Sequence, residues 1–256
     1  MIIEYHRPNS IDETISLLSR KDPKTVILGG GLYLNEKVKD QIAVVDIQNL
    51  GLDTIETKGK IHILGAGVRL QQLVEMEGLP TALISSIKHQ ETYNRRQVAT
   101  LAGTFITADG RSPVTCVLLA LDAELAMVGN NNHLESILLG DFLPVRKYQL
   151  VGKLFTKITI PSITKTVYNY VARSPADRPI VAAAVSLWPS GRTRVVLSGY
   201  GDQPVMVLDG TDAEGADAAA RDAYSQADDQ WAKAEYRSDT AAVLVRRSLN
   251  QIAEIN

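Results

Sequence analysis

The sequence predicts an α+β protein with two N-terminal lobes and a small C-terminal α+β domain, and three observations carry that reading. The opening residues alternate strand-like and helix-like apolar spacing around three consecutive glycines, the pattern of a small α/β lobe. The spacing then changes to a hairpin-like pair followed by short helices and strands. From Tyr168 the composition shifts again, to two apolar strands around a Pro-Ser-Gly turn and a closing amphipathic helix. The expected divisions are residues 1–52, 53–165 and 166–256.

In the first lobe, Ser10 and Glu13 form a capping box, and Ile11, Ile15 and Leu18 recur at helical spacing behind it. Pro23 closes that region before a β-prone run, Val26-Ile27-Leu28, and the next strand covers residues 42–47. The second lobe opens with strands at 53–58 and 61–64 joined by Lys58-Gly59-Lys60. A helix over 70–77 stops at Gly78 and Pro80, and a second runs over 81–91. Residues 113–120 form a short helix, and 121–128 a strand that enters the polar turn 129–132. Segments 138–143 and 154–160 complete this lobe.

In the third portion, residues 181–187 and 194–200 read as strands around Pro189-Ser190-Gly191. Residues 202–229 hold eight acidic side chains and one basic, Arg221, which predicts a solvated helix with loops. The last helix, over 239–254, puts Ala241, Leu244, Val245, Ser248, Leu249 and Ile252 on one face.

The most informative stretch is Thr25-Val-Ile-Leu-Gly-Gly-Gly-Leu-Tyr-Leu34. A strand that runs into Gly29, Gly30 and Gly31 can turn with φ > 0 and converge its N–H groups on one point, the usual cradle for a pyrophosphate. An ordinary strand-to-helix turn stands beside that reading, because no GxGxxG pattern or P-loop lysine follows. Thr100-Leu101-Ala102-Gly103-Thr104 offers a second turn with a hydroxyl, small residues and free N–H donors. Two such turns can grip the phosphates of one dinucleotide from opposite sides. Arg111, in Asp109-Gly110-Arg111-Ser112-Pro113, is either a further phosphate contact or part of an ordinary loop.

With these residues in hand, the chain resembles the FAD-binding (medium) subunit of the molybdenum hydroxylases, the group of xanthine dehydrogenase and aerobic carbon monoxide dehydrogenase. The resemblance starts at Tyr5-His6-Arg7-Pro8-Asn9-Ser10 and passes through the glycine turn to Ile63-Leu64-Gly65-Ala66-Gly67-Val68 with Leu73. Arg96, Ala99-Thr100-Leu101 and Gly103 resemble the family's second phosphate turn, and Leu118-Leu119-Ala120-Leu121-Asp122-Ala123 and residues 158–161 follow as in the family. Ala234-Glu235-Tyr236-Arg237 and residues 243–249 resemble its C-terminal domain.

The resemblance implies the family's two-lobed FAD-binding fold and an oxidoreductase flavoprotein subunit. It places non-covalent FAD against Leu28, Gly29, Gly30, Gly31, Leu32 and Tyr33 on one side and Thr100, Ala102 and Gly103 on the other. It further implies a cytoplasmic hetero-oligomer: a large subunit with the molybdenum cofactor, where substrate is hydroxylated, and a small subunit whose iron–sulfur clusters pass electrons to FAD. The chain departs from the family pattern at Leu32, Ala102, Thr104, Pro113 and Tyr170, each time losing a hydroxyl, amide or charge. Those departures keep a second reading open, an assembly subunit that retains the fold without the flavin.

Composition narrows the classes. A net charge of −2 gives no basic face for nucleic acid. No apolar run reaches the roughly 18–20 residues that cross a bilayer, and residues 1–5 lack the features of a secretory signal. The single cysteine, Cys116, excludes an internal disulfide and a four-thiolate cluster within the chain. It reads as a buried, inert thiol. His6, His62, His89 and His133 have no partners at metal-ligand spacing and read as structural. No hydrolase elbow or cysteine–histidine pair is present.

Overall fold

The computed structural model describes residues 1–34, 41–129, 133–150 and 152–255. Most of the polar turn expected at 129–132 lies outside the described residues. Contacts group the chain into two compact units: Met1–Glu75, Tyr93–Thr107 and Glu124–Thr159 in one, and Met76–Thr92, Ala108–Ala123 and Ile160–Asn256 in the other.

The first unit begins with β1 (Ile2–His6), α1 (Ile11–Leu18), β2 (Thr25–Leu28) and β3 (Ile42–Asp46), and its three strands form a parallel sheet in the order β1-β3-β2. Ser10 caps α1 by accepting the Glu13 N–H at 3.2 Å. The Glu13 carboxylate returns to the N–H of Asn9, one residue before the position a capping box would use. Ile11, Ile15 and Leu18 pack with Ile27, Ile47, Leu50 and Leu52. That is the core the helical spacing predicts.

The hairpin β4 (Ile55–Lys58) and β5 (Ile61–Gly65) is antiparallel and joins a five-stranded sheet with β6 (Glu124–Val128), β7 (Leu134–Leu138) and β8 (Leu154–Pro161), ordered β4-β5-β8-β6-β7. The same unit holds α2 (Leu70–Glu75), α4 (Tyr93–Arg96), α5 (Leu101–Ile106) and α7 (Leu139–Gln149); α3 (Thr81–Gln90) and α6 (Pro113–Ala120) belong to the second unit. All three phenylalanines of the chain, Phe105, Phe142 and Phe155, meet edge-to-face with centroids 5.0–6.0 Å apart. Such geometry adds to simple burial by aligning ring edges with ring faces.

The second unit is built on an antiparallel sheet, β12-β11-β10-β9, of β9 (Lys165–Val171), β10 (Val181–Leu187), β11 (Thr193–Ser198) and β12 (Val205–Gly210). The long helix α9 (Ala234–Glu254) packs on β9 and β10, with α8 (Ala216–Ala223) beside it, and α6 packs on β10 and β11. Ala241, Leu244, Val245, Ser248 and Ile252 are buried as the helical face requires. The segment 202–229 differs from the expected solvated helix with loops. Val205-Met206-Val207-Leu208 is β-prone and pairs with β11, so the acidic run contains a strand. One of its carboxylates, Asp209, is drawn into ion pairs with Arg192 and Arg194 at 2.8 and 2.6 Å. Burial of Arg194 to 5% exposure makes this network part of the core. Asp122, the one non-glycine at positive φ among the described residues (φ 56), completes the network through Arg194 at 2.7 Å.

Candidate functional site

The glycine turn leaves the C-terminal end of β2, where open parallel sheets place their ligands. Ile47 N–H donates to the Leu28 carbonyl at 3.4 Å, so pairing with β3 holds the strand up to its last residue. Beyond it the three glycines serve different needs. Only Gly31 has φ > 0 (+74). A Cβ on Gly30 would lie 1.5 Å from the Val98 carbonyl oxygen, and a Cβ on Gly29 would lie 2.8 Å from Thr100 Oγ1. The φ > 0 that such a turn permits is therefore taken up at Gly31 alone. Gly29 and Gly30 are required by close approach of the 98–100 segment.

That close approach brings the two predicted segments together. The second is a helix N-terminus instead of a turn: Thr100 caps α5, its Oγ1 accepting the Gly103 N–H at 3.3 Å. Leu101 N–H donates to the Val68 carbonyl at 2.8 Å and Ala102 N–H to the Ala66 carbonyl at 3.2 Å, so the 63–68 segment docks on it. Ala102 is helical and needs no positive φ. The donors expected to be free at Ala102 and Gly103 are thus engaged inside the protein. The amides of Gly29, Gly30 and Gly31 find no acceptor among the described residues. Leu32 and Tyr33 continue the turn, both half-buried.

A buried carboxylate that sequence reasoning left as a plain strand residue stands at this sheet end. Asp46 is 4% exposed and lies opposite Leu28 in the β2–β3 register. It accepts from Tyr5 Oη at 2.5 Å and from the Gln48 N–H at 3.0 Å, with Arg7 Nε 4.0 Å away. The hydrogen bond to Asp46 pushes the Tyr5 hydroxyl above its usual range. The arrangement ties the ends of β1 and β3 together beside the glycine turn. Its only sequence signal is an acidic residue in an apolar strand.

Other candidates resolve into structural roles. Pro113 opens α6 behind the Ser112 cap, and Thr104 is buried with its hydroxyl on the Thr100 carbonyl at 3.0 Å. Arg111 donates to the carbonyls of Pro179 and Arg178 at 2.9 and 2.7 Å, which selects the loop reading over the phosphate contact. His89 hydrogen-bonds Tyr168 Oη and the Asp177 carbonyl and stacks on Tyr170 at 3.8 Å; burial holds its pKa below the usual value. His62 bonds Thr57 at 2.9 Å and is likewise lowered by burial. Cys116 is fully buried, which pushes its thiol pKa far up. Among the described residues there is no metal-ligating cluster and no helix long and apolar enough to cross a membrane.

With this geometry, known proteins supply the class. Residues 1–163 match the family described as FAD binding domain in molybdopterin dehydrogenase. The chain belongs to that family: it is an FAD-binding flavoprotein subunit of the molybdenum hydroxylase type, and its fold class is the one the resemblance implied. It is 25% identical over 278 residues to the carbon monoxide dehydrogenase medium chain of Afipia carboxidovorans, covering 97% of this chain and 96% of that one. An uncharacterized Escherichia coli K12 protein, YgfM, is 28% identical over 212 residues, 82% of this chain and 79% of its own. A chain of carbon monoxide dehydrogenase from Hydrogenophaga pseudoflava superposes with TM-score 0.85 at 20% identity, over 99% of this chain and 98% of that chain. A chain of quinoline 2-oxidoreductase from Pseudomonas putida 86 gives 0.80 at 21%, over 98% and 96%. At those identities the structures speak for the fold.

Proposed function

We propose that this chain is the FAD-bearing electron-transfer subunit of a heteromeric, cytoplasmic molybdenum hydroxylase. The observation that carries the proposal is the set of amides at Gly29, Gly30 and Gly31 that have no acceptor among the described residues, held at the end of a parallel sheet by the 98–100 segment. Free amides in a glycine-rich turn suit a pyrophosphate. In this reading Leu28, Gly29, Gly30, Gly31, Leu32 and Tyr33 form the phosphate-facing side. Thr100, Ala102 and Gly103 form the wall behind it, contributing the Thr100 hydroxyl and close packing more than free donors. When bound, FAD supplies the redox chemistry, and the protein supplies binding, orientation and electrostatics.

The chain's own residues then bind and orient. Val98 and Thr100 fix the turn, and the Asp46–Tyr5 bond keeps the sheet end rigid. The partners in this proposal are a large subunit with the molybdenum cofactor and a small subunit with iron–sulfur clusters, supported by the family and by the name medium chain given to the Afipia relative. The division into lobes at 1–52 and 53–165 with a 166–256 portion is part of this proposal; the family match ending at residue 163 supports only its last boundary.

A second reading, an assembly subunit without flavin, is favoured by one observation: the amides of Ala102 and Gly103 are already spent on Ala66 and Thr100. Calorimetric titration of the purified chain with FAD separates the two. Saturable binding, with flavin bands near ~375 and ~450 nm released by mild acid, fits the non-covalent cofactor role. No heat and no colour at saturating FAD would select the assembly subunit.

A further inference from the structure

Trp231 sits in the loop between α8 and α9, still 39% exposed. The guanidinium carbons of Arg111 and Arg173 lie 4.6 and 4.4 Å from its ring centroid. Asp229 pins the loop by accepting the N–H groups of Trp231 and Ala232 at 2.7 and 3.1 Å, and it pairs with the buried Arg237 at 2.8 Å. Arg111 is fixed in turn by the carbonyls of Pro179 and Arg178. Arg178 forms a bidentate pair with Asp109 at 2.8 and 2.5 Å.

The charges do not balance. Arg111, Arg173, Arg178 and Arg237 face two carboxylates, Asp109 and Asp229, each committed to one of them. Arg111 meets Asp109 through its backbone N–H, which donates to Oδ1 at 2.9 Å, while its guanidinium forms no ion pair among the described residues. Arg173 is exposed, and among the described residues its fork of donors has no acceptor. A guanidinium held over an aromatic ring is pre-organised for a planar oxyanion and loses less freedom on binding one than a free side chain would. Such groups bind carboxylates through paired charge-assisted hydrogen bonds. Half-exposed tryptophan flanked by arginines is also the composition of the residues that dominate protein–protein binding.

We propose that Arg173, Trp231 and Arg111 form a docking site for the carboxylates of an acidic protein segment. Arg173 takes the carboxylate directly. Trp231 holds Arg173 in place and supplies apolar contact, and Arg111 adds charge from a fixed position. The site does not depend on the flavin.

The test is fluorescence anisotropy of a labelled octa-glutamate peptide titrated with the full chain at low salt, with labelled octa-lysine as control. Saturable binding of the acidic peptide alone is expected, weakened about tenfold or more by Arg173→Glu and by added salt that screens the charges. Arg173→Lys, which keeps the charge but loses the fork, should weaken it several-fold, and Trp231→Ala likewise. Far-UV circular dichroism confirms that each variant is folded; Arg173 is exposed, so Arg173→Glu is the variant that decides. Absence of saturable binding, or equal affinity of wild type and Arg173→Glu, overturns the proposal. So does inorganic phosphate displacing the peptide at concentrations below those of free glutamate, because the site would then select phosphate over carboxylate.

Discussion

Gly30→Ala should be the most damaging single-methyl change in the glycine turn, for reasons of space and not of dihedral angle. The added Cβ would lie 1.5 Å from the Val98 carbonyl oxygen, where a C···O contact needs about 3.3 Å, so the two backbones must part by roughly 1.8 Å. The 98–100 segment cannot yield freely. Val98 and Ala99 N–H groups bond the Arg95 carbonyl at 3.1 and 2.9 Å, and the Ala99 carbonyl accepts from Leu70 at 2.9 Å. Overpacking costs about 1–3 kcal/mol and each bond disturbed about 1 kcal/mol more, which places the loss near ~3–5 kcal/mol. Gly31→Ala instead faces φ +74 and Leu28 Cδ1 at 3.3 Å, a cost of about 1–2 kcal/mol. Gly29→Ala presses on Thr100 Oγ1 at 2.8 Å and endangers the α5 cap, worth about 1 kcal/mol. Urea denaturation of the three variants gives the ranking, with FAD titration of each alongside. The predicted order of loss is Gly30, then Gly31, then Gly29, and Gly30→Ala should bind FAD least well of the three. A Gly30→Ala protein within about 1 kcal/mol of wild type would refute the close-approach argument.

Three further outcomes follow from the second unit. Arg194→Met should cost about 3 kcal/mol by thermal or urea unfolding, because it strands Asp209 and Asp122 beside a single arginine; a neutral result would show the network to be dispensable. The Arg192 and Arg194 hydrogen bonds lower Asp209 from 3.8 to about 2. That stability is present in full above pH ~4 and disappears as pH falls through ~2, worth about 1–2 kcal/mol after screening. Asp209→Asn should flatten that acid limb in pH-dependent unfolding, and an unchanged limb would place the acid sensitivity elsewhere. Cys116, fully buried with its thiol pKa raised, should resist Ellman's reagent in the native protein and react at once in guanidinium; rapid native labelling would contradict its burial.

How far the sequence carried can be read from particular residues. Ser10 named the start of α1, and the triple glycine named the turn, because capping chemistry and the lack of a side chain are written in residue identity. Residues Lys165–Val171 were not legible as a strand. Both faces of β9 stay partly exposed at the sheet edge, so its apolar alternation is diluted by Lys, Thr and Asn. The strand in the acidic run escaped for a related reason: charge density read as solvation, although Asp209 had two arginines waiting on β11 and its turn. At the site, Val98 acts through its carbonyl, and a backbone oxygen leaves no trace in the choice of side chain. Whether Gly103 and Ala102 keep their amides free depended on where the carbonyls of Ala66 and the hydroxyl of Thr100 came to rest, a matter of tertiary docking.

The order in which chain segments enter the two units bears on how the protein can be cut. The polypeptide leaves the first unit after Glu75, returns at Tyr93, leaves after Thr107, returns at Glu124 and leaves again after Thr159. The stretch matched by the family, residues 1–163, therefore includes α3 and α6, whose packing partners β9, β10 and β11 come later in the chain. Every residue of α6 from Pro113 to Ala120 is buried. A fragment ending near residue 163 would present to water the face of that apolar helix that packs on β10 and β11, and a ribosome that has made only this much holds an unfinished core. The smallest piece worth expressing is the entire chain, and protease nicks that leave both ends of such a segment in place should be tolerated far better than truncations.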